Sequence, residues 1–147
     1  MSEIINPQDA ELEEIILGSC LIESKAITLI ADILRPEAFY NEKNLEIYAT
    51  LQSMYRNGQK IDIITVKEEL ARRGKLEFIG GPYTLAHISG RVASSAHLEY
   101  HARILKQKYI RRETILGFHK LLALAADETT DIDDTSVSYT HLTLPTI

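Results

Sequence analysis

Two histidines four residues apart, His97 and His101, with Glu99 between them, come nearest in this chain to the spacing of a metal site. On a helix the pair shares one face, as two imidazole ligands of zinc do. A zinc peptidase helix needs Glu directly after its first His, and spacing ties no third ligand to this face. The pair therefore reads as surface or capping residues, with no metal expected. Gly74-Lys75 is the only Gly-Lys pair. A phosphate-binding loop needs G-x-x-x-x-G-K-[ST], because its backbone N–H groups cradle phosphates while Lys and the hydroxyl serve phosphate and magnesium. Here positions 69 and 76 are Glu69 and Leu76, so the motif fails at both flanks and Gly74 reads as a helix end. Cys20 lies in an apolar run without a nearby base, and no G-x-S-x-G elbow exists. No catalytic, cofactor-binding or metal-binding constellation is expected.

Charge narrows the partners. The formal net charge of -5 argues against a surface built throughout to neutralise phosphates. Its distribution is uneven: residues 1–23 hold Glu3, Asp9, Glu11, Glu13, Glu14 and Glu23 with no base, whereas 103–112 hold Arg103, Lys106, Lys108, Arg111 and Arg112 with no acid. Complementary potentials of this kind guide subunits together, and solvated helix surface produces the same pattern. The basic run, with Tyr109 as a stacking ring, leaves direct contact with single-stranded DNA open. The lone cysteine forms no disulfide framework and fits core packing in a reducing compartment. No apolar stretch approaches the roughly 20 residues of a membrane span, and Met1-Ser2-Glu3-Ile4-Ile5-Asn6 lacks a signal peptide's basic flank. The expectation is a soluble, cytoplasmic protein of one compact domain with an appendage.

The elements that carry these residues are helical throughout. Asn6 as cap, Pro7 in the first turn, and Leu12, Ile15, Ile16 and Ser19 predict an amphipathic first helix. Ser24 is the expected cap of a second, with Ile27, Ile30, Ala31 and Leu34 in one stripe until Arg35-Pro36 stops it. Asn41 opens a third, lined by Leu45, Tyr48, Leu51 and Tyr55 and closed by Asn57-Gly58. Thr65 and Glu68 have the spacing of a capping box for a fourth helix ending near Gly74. Gly80-Gly81-Pro82 turns into a short fifth, Tyr83 to Ile88, closing at Gly90. Ile61-Asp62-Ile63 is too short to found a sheet.

From Ser95 to about Ala126 there is no proline and one interior glycine, Gly117, which predicts a single long helix. Leu98, Ala102, Leu105 and Tyr109 form its first apolar seam. Arg111-Arg112 interrupts, and Ile115, Phe118, Leu122 and Ala125 form a second. A second seam needs a second apolar surface, because large exposed stripes generally mark an interface. The expected partner interface is Ile115, Leu116, Phe118, Leu121 and Leu122, joined by Tyr109 and by Lys108, Arg111 and Arg112 as polar contacts.

The run from Val92 to Arg112, arriving a short loop after Ile79-Gly80-Gly81-Pro82-Tyr83, resembles the N-terminal domain of DnaB-type bacterial replicative helicases. Further blocks carry the resemblance in the same order: Glu11 to Leu21, Leu34-Arg35-Pro36-Glu37-Ala38-Phe39-Tyr40, and Asp62 to Gly74. Together they span roughly Asn6 to Asp134. Thr84 departs from it, since a bulkier residue is expected before Leu85.

The resemblance implies an all-α fold, a compact bundle of about five to six helices followed by a long projecting helix that is the first arm of a hairpin. The expected division is 1–104 globular, 105–134 arm and 135–147 tail. It also implies a collar that organises a hexamer from dimer pairs and docks the primase C-terminal domain and a helicase loader. ATP and magnesium belong to a motor domain that this chain lacks, so no enzyme activity is expected of the chain alone. The tail Ser136 to Ile147, threonine-rich with Pro145 and no helical stripe, fits neither a return arm nor a linker and reads as foreign sequence. Two other classes stay open: a helical module binding single-stranded DNA through Arg103–Arg112, and a helical scaffold unrelated to replication.

Overall fold

The computed structural model describes residues 8–127, so the tail and the Asn6-Pro7 start lie outside the described residues. These divide into two units, Gln8–Tyr109 and a stretch beginning at Ile110. All regular structure among the described residues is helical.

The first helix, α1, is Ala10–Ile22. Its cap is Asp9, whose carboxylate accepts the Leu12 N–H at 3.0 Å, so the helix begins later than an Asn6 cap would place it. From Ile16 to Leu21 every residue is buried, which makes α1 a central helix where a one-sided stripe was expected. The run Ile-Leu-Gly-Ser-Cys-Leu carries no charge to hold a face in water. Its one hydroxyl, on Ser19, donates back to the Ile15 carbonyl at 2.8 Å. A Cβ on Gly18 would meet the Ile88 carbonyl oxygen at 2.6 Å and Val92 Cγ2 at 2.5 Å, so hydrogen alone fits there. Cys20 is fully buried, and burial pushes its thiol up to about 12.

α2 is only Ala26–Ile30, and no side chain caps it: Ser24 lies one residue outside the N-cap, which is Lys25. It stops short of Arg35-Pro36, and a later helix bonds the carbonyls of the turn that follows. Tyr48 donates its hydroxyl to Leu34 O at 3.0 Å, and Gln52 donates Nε2 to Ala31 O at 3.2 Å. A 3-10 turn, Pro36–Ala38, follows.

That helix, α3 (Glu42–Arg56), is capped as its sequence predicts, Asn41 Oδ1 accepting from the Lys43 and Asn44 N–H groups. Its buried stripe is Ile47, Tyr48, Leu51 and Met54, and Tyr55 faces outward at 38% exposure. Tyr48 stacks on Phe39 with ring centroids 4.6 Å apart.

α4 (Ile63–Arg72) starts before the expected box. Asp62 accepts the Thr65 N–H at 2.8 Å, and Thr65 Oγ1 accepts the Asp62 N–H at 2.9 Å, so Asp62 caps and Thr65 is the third helical residue. Glu69 on this helix accepts from Arg72 Nε at 2.9 Å and Arg73 Nε at 3.0 Å, and those bonds hold its carboxyl down to about 2. A folded-state value below the unfolded one stabilises the fold above the unfolded value and loses that contribution as pH falls toward about 2. Denaturant midpoints measured from neutral to acid pH should fall less steeply for Glu69→Gln than for the parent chain.

α5 (Pro82–Gly90) begins after Gly80 at φ 104° and Gly81 at φ 80°, a turn that L side chains strain to make. α6 runs unbroken from Leu98 to Ala126. Leu98, Ala102 and Leu105 are buried in the core of the Gln8–Tyr109 unit, and Tyr109 packs against it half-buried.

Candidate interaction surface

The second half of α6 carries its large apolar side chains in the open. Leu116, Phe118 and Leu122 are 53%, 45% and 67% exposed, while Ile115 and Leu121 are half-buried. Ile110, at 48%, belongs with them and was missed in the sequence because it sits against the basic pair. Apolar area left in water on one short stretch is what an association surface looks like before it associates.

The basic residues do not form one exposed face. Arg111 is exposed, Lys106 and Lys108 are half-buried, and Arg112 is buried at 5% and is not a free cation. Arg103 lies 3.6 Å from Glu99 Oε1, one helical turn away, with both groups well exposed. Of five charges in the run, Arg111 is thus the fully exposed one that no described ion pair engages.

The acidic start of the chain is likewise put to internal use. Glu13 is buried at 1%, accepting the Tyr40 N–H at 2.8 Å, the Asn41 N–H at 3.2 Å and Asn44 Nδ2 at 3.1 Å. Arg91 bridges Glu11 and Glu14, and Ser95 bonds Glu23. Among the described residues, Glu11, Glu13, Glu14 and Glu23 are thus engaged within the chain.

His97 and His101 stand edge to face with ring centroids 6.4 Å apart, and the His97 carbonyl accepts the His101 N–H in the first turn of α6. No third His, Cys, Asp or Glu joins them in a metal-holding group among the described residues. Gly74 has φ 70° and terminates α4, as its place in the sequence predicts. No described helix is long and apolar enough to cross a membrane.

The profile of the family described as DnaB-like helicase N terminal domain matches residues 5–107. The chain belongs to that family. Its match closes just short of Tyr109, so the helical unit Gln8–Tyr109 is the part that the DnaB-like profile describes. The replicative DNA helicase DnaB of Rhodothermus marinus is 43% identical over 108 residues, which are 74% of this chain and 12% of that protein. The chain thus spans about an eighth of that DnaB, and 26% of the replicative helicase DnaC of Bacillus subtilis.

Among solved structures, the N-terminal domain of the Mycobacterium tuberculosis DnaB helicase superposes with a TM-score of 0.85 at 28% identity. It covers 93% of this chain and 99% of that one. A likeness of that extent continues past Tyr109. The solved structure of a DnaB-like replicative helicase and its interactions with primase matches at a TM-score of 0.76 and 25% identity, over 94% of this chain and 32% of that one.

Proposed function

We propose that this DnaB-like domain serves as the collar of a replicative DNA helicase and acts in DNA replication by protein–protein contact. The observation that carries the reading is the exposed apolar stretch Ile110 to Leu122, lying on the helix that continues out of the family's matched region. In the full-length protein, pairs of collars associate through Ile115, Leu116, Phe118, Leu121 and Leu122, with Lys108 and Arg111 at the rim. The pairs assemble into a hexameric ring that docks the primase C-terminal domain and a loader. Coupling of this type needs no catalytic residue, because each partner favours the ring arrangement it binds best. ATP and magnesium then belong to the motor domain, the chain alone hydrolyses nothing, and the assembly works in the cytoplasm. The primase contact rests on the solved relative named for it.

Solution mass measured by light scattering, with and without a primase C-terminal domain, tests this. Concentration-dependent association and a further gain with primase are expected. A strict monomer that ignores primase overturns the reading. Binding to single-stranded DNA through Arg103–Arg112 competes with it, and there the paired Arg103 and buried Arg112 count against a phosphate-binding face.

A further inference from the structure

The chain has four asparagines, Asn6, Asn41, Asn44 and Asn57, and Asn57 alone is followed by glycine. We propose that Asn57-Gly58 is a site of spontaneous deamidation, gated by opening of the C-terminal end of α3. The Gly58 main-chain nitrogen attacks Cγ of the Asn57 amide. The new N–Cγ bond forms as the Cγ–amide bond breaks, and the displaced nitrogen leaves as ammonia with the proton given up by Gly58. Water then opens the five-membered imide at either carbonyl, leaving aspartate or isoaspartate at position 57, with nothing oxidised or reduced.

The site is open to this chemistry. Asn57 is exposed and no hydrogen bond engages its side-chain amide, whereas Asn41 caps α3 and Asn44 donates to Glu13. Gly58 is exposed as well, and apart from its chain neighbours nothing lies within 4 Å of where its Cβ would stand.

The folded backbone holds the reaction off. Ring closure requires Cβ of Asn57 and the Gly58 nitrogen to be eclipsed about the Cα–C bond. With Asn57 at φ -88° and ψ 5°, its own main-chain nitrogen is eclipsed there instead. Substituents on a tetrahedral Cα lie about 120° apart, so a rotation of roughly that size is needed. That rotation swings away Gly58 N, which donates to Tyr55 O at 3.1 Å, and Gln59 N, which donates to Met54 O at 2.9 Å. Both bonds close the end of α3, so conversion waits for that end to open.

Once made, the change does not reverse on closing. A carboxylate now stands at the negative end of the helix dipole, and isoaspartate adds a main-chain carbon ahead of the Gln59 bond to Met54, whose side chain is core.

The test incubates the intact chain in mildly alkaline bicarbonate, folded and in urea, and follows the gain of about 1 Da by fragment mass spectrometry. Conversion should fall first on Asn57 in both samples, at least about tenfold slower in the folded one. Gly58→Leu measured in urea, where folding plays no part, should slow it further. Equal rates in the two samples, no gain at Asn57 in urea, an earlier gain at Asn41 or Asn44, or a folded chain still unconverted after several weeks would each overturn the proposal. None of these outcomes bears on whether the chain associates.

Discussion

Glu13→Ala should lower the thermal midpoint of the Gln8–Tyr109 unit by more than about 10 °C, while a surface control such as the exposed Glu68→Ala leaves it nearly unchanged. The carboxylate is buried and receives three donors from the start of α3, two of them main-chain. Deleting it leaves Tyr40 N, Asn41 N and Asn44 Nδ2 without this acceptor. A buried donor left without its acceptor typically costs about 1 to 3 kcal/mol, so three of them amount to a large part of a small domain's roughly 5 to 15.

Glu13→Gln separates charge from shape. Its oxygen can replace Oε1, which serves Asn41 and Asn44, but its NH2 then faces the Tyr40 N–H, donor against donor. About half of the alanine loss is expected, read by calorimetry on both variants. An alanine variant as stable as the parent chain would mean that water replaces the carboxylate, and that Glu13 does not fasten α1 to the start of α3.

Glu13 also marks where sequence reading stops. Its spelling is that of any acid in the first turns of a helix, and its partners lie 27 to 31 residues away, beyond the reach of local pattern. Features whose physics is local were legible. Asn41 caps α3, Gly58 and Gly74 take positive φ, Gly80-Gly81-Pro82 opens α5, and the first seam of α6 is buried where helical spacing puts it.

Local features failed where two readings share one spelling. Asp62–Thr65 and Thr65–Glu68 both have the spacing of a box, and the folded chain uses the first, with Ile61 ahead of the cap buried in the core. Met54 and Tyr55 are neighbours on α3. Which of them turns inward depends on the angle at which α3 meets its neighbours, and spacing does not carry that angle. α2 is shorter than its apolar stripe, and the carbonyls of Ala31 and Leu34 beyond it are bonded by Tyr48 and Gln52 arriving from α3, partners that local spacing does not reveal. In the candidate surface, Phe118 and Leu122 are exposed and follow the period of α6, whereas Ile110 beside the basic pair and the burial of Arg112 were not readable, since a charge pattern does not say which charges find partners.

Placing like charges in the apolar surface should have the largest effect on association. Phe118 and Leu122 are four residues apart, on one face of α6, and both are well exposed in the single chain. Phe118→Glu with Leu122→Glu removes two apolar anchors and, if two copies meet through this face, sets carboxylates against carboxylates across a symmetric contact. The dissociation constant of the self-complex should rise by more than about a hundredfold, since truncating one central anchor alone commonly costs about 2 kcal/mol and the repulsion adds to it. Neither residue contributes to the core of the Gln8–Tyr109 unit, so helicity and thermal midpoint should stay near the parent values. Concentration series by light scattering and sedimentation read the association, and circular dichroism checks the fold. Because the ring is proposed to present the primase surface, primase binding should weaken in the same variant only as far as assembly does. A variant that associates like the parent would remove Phe118 and Leu122 from the interface, and undiminished primase binding by a fully monomeric variant would place that contact on a single collar.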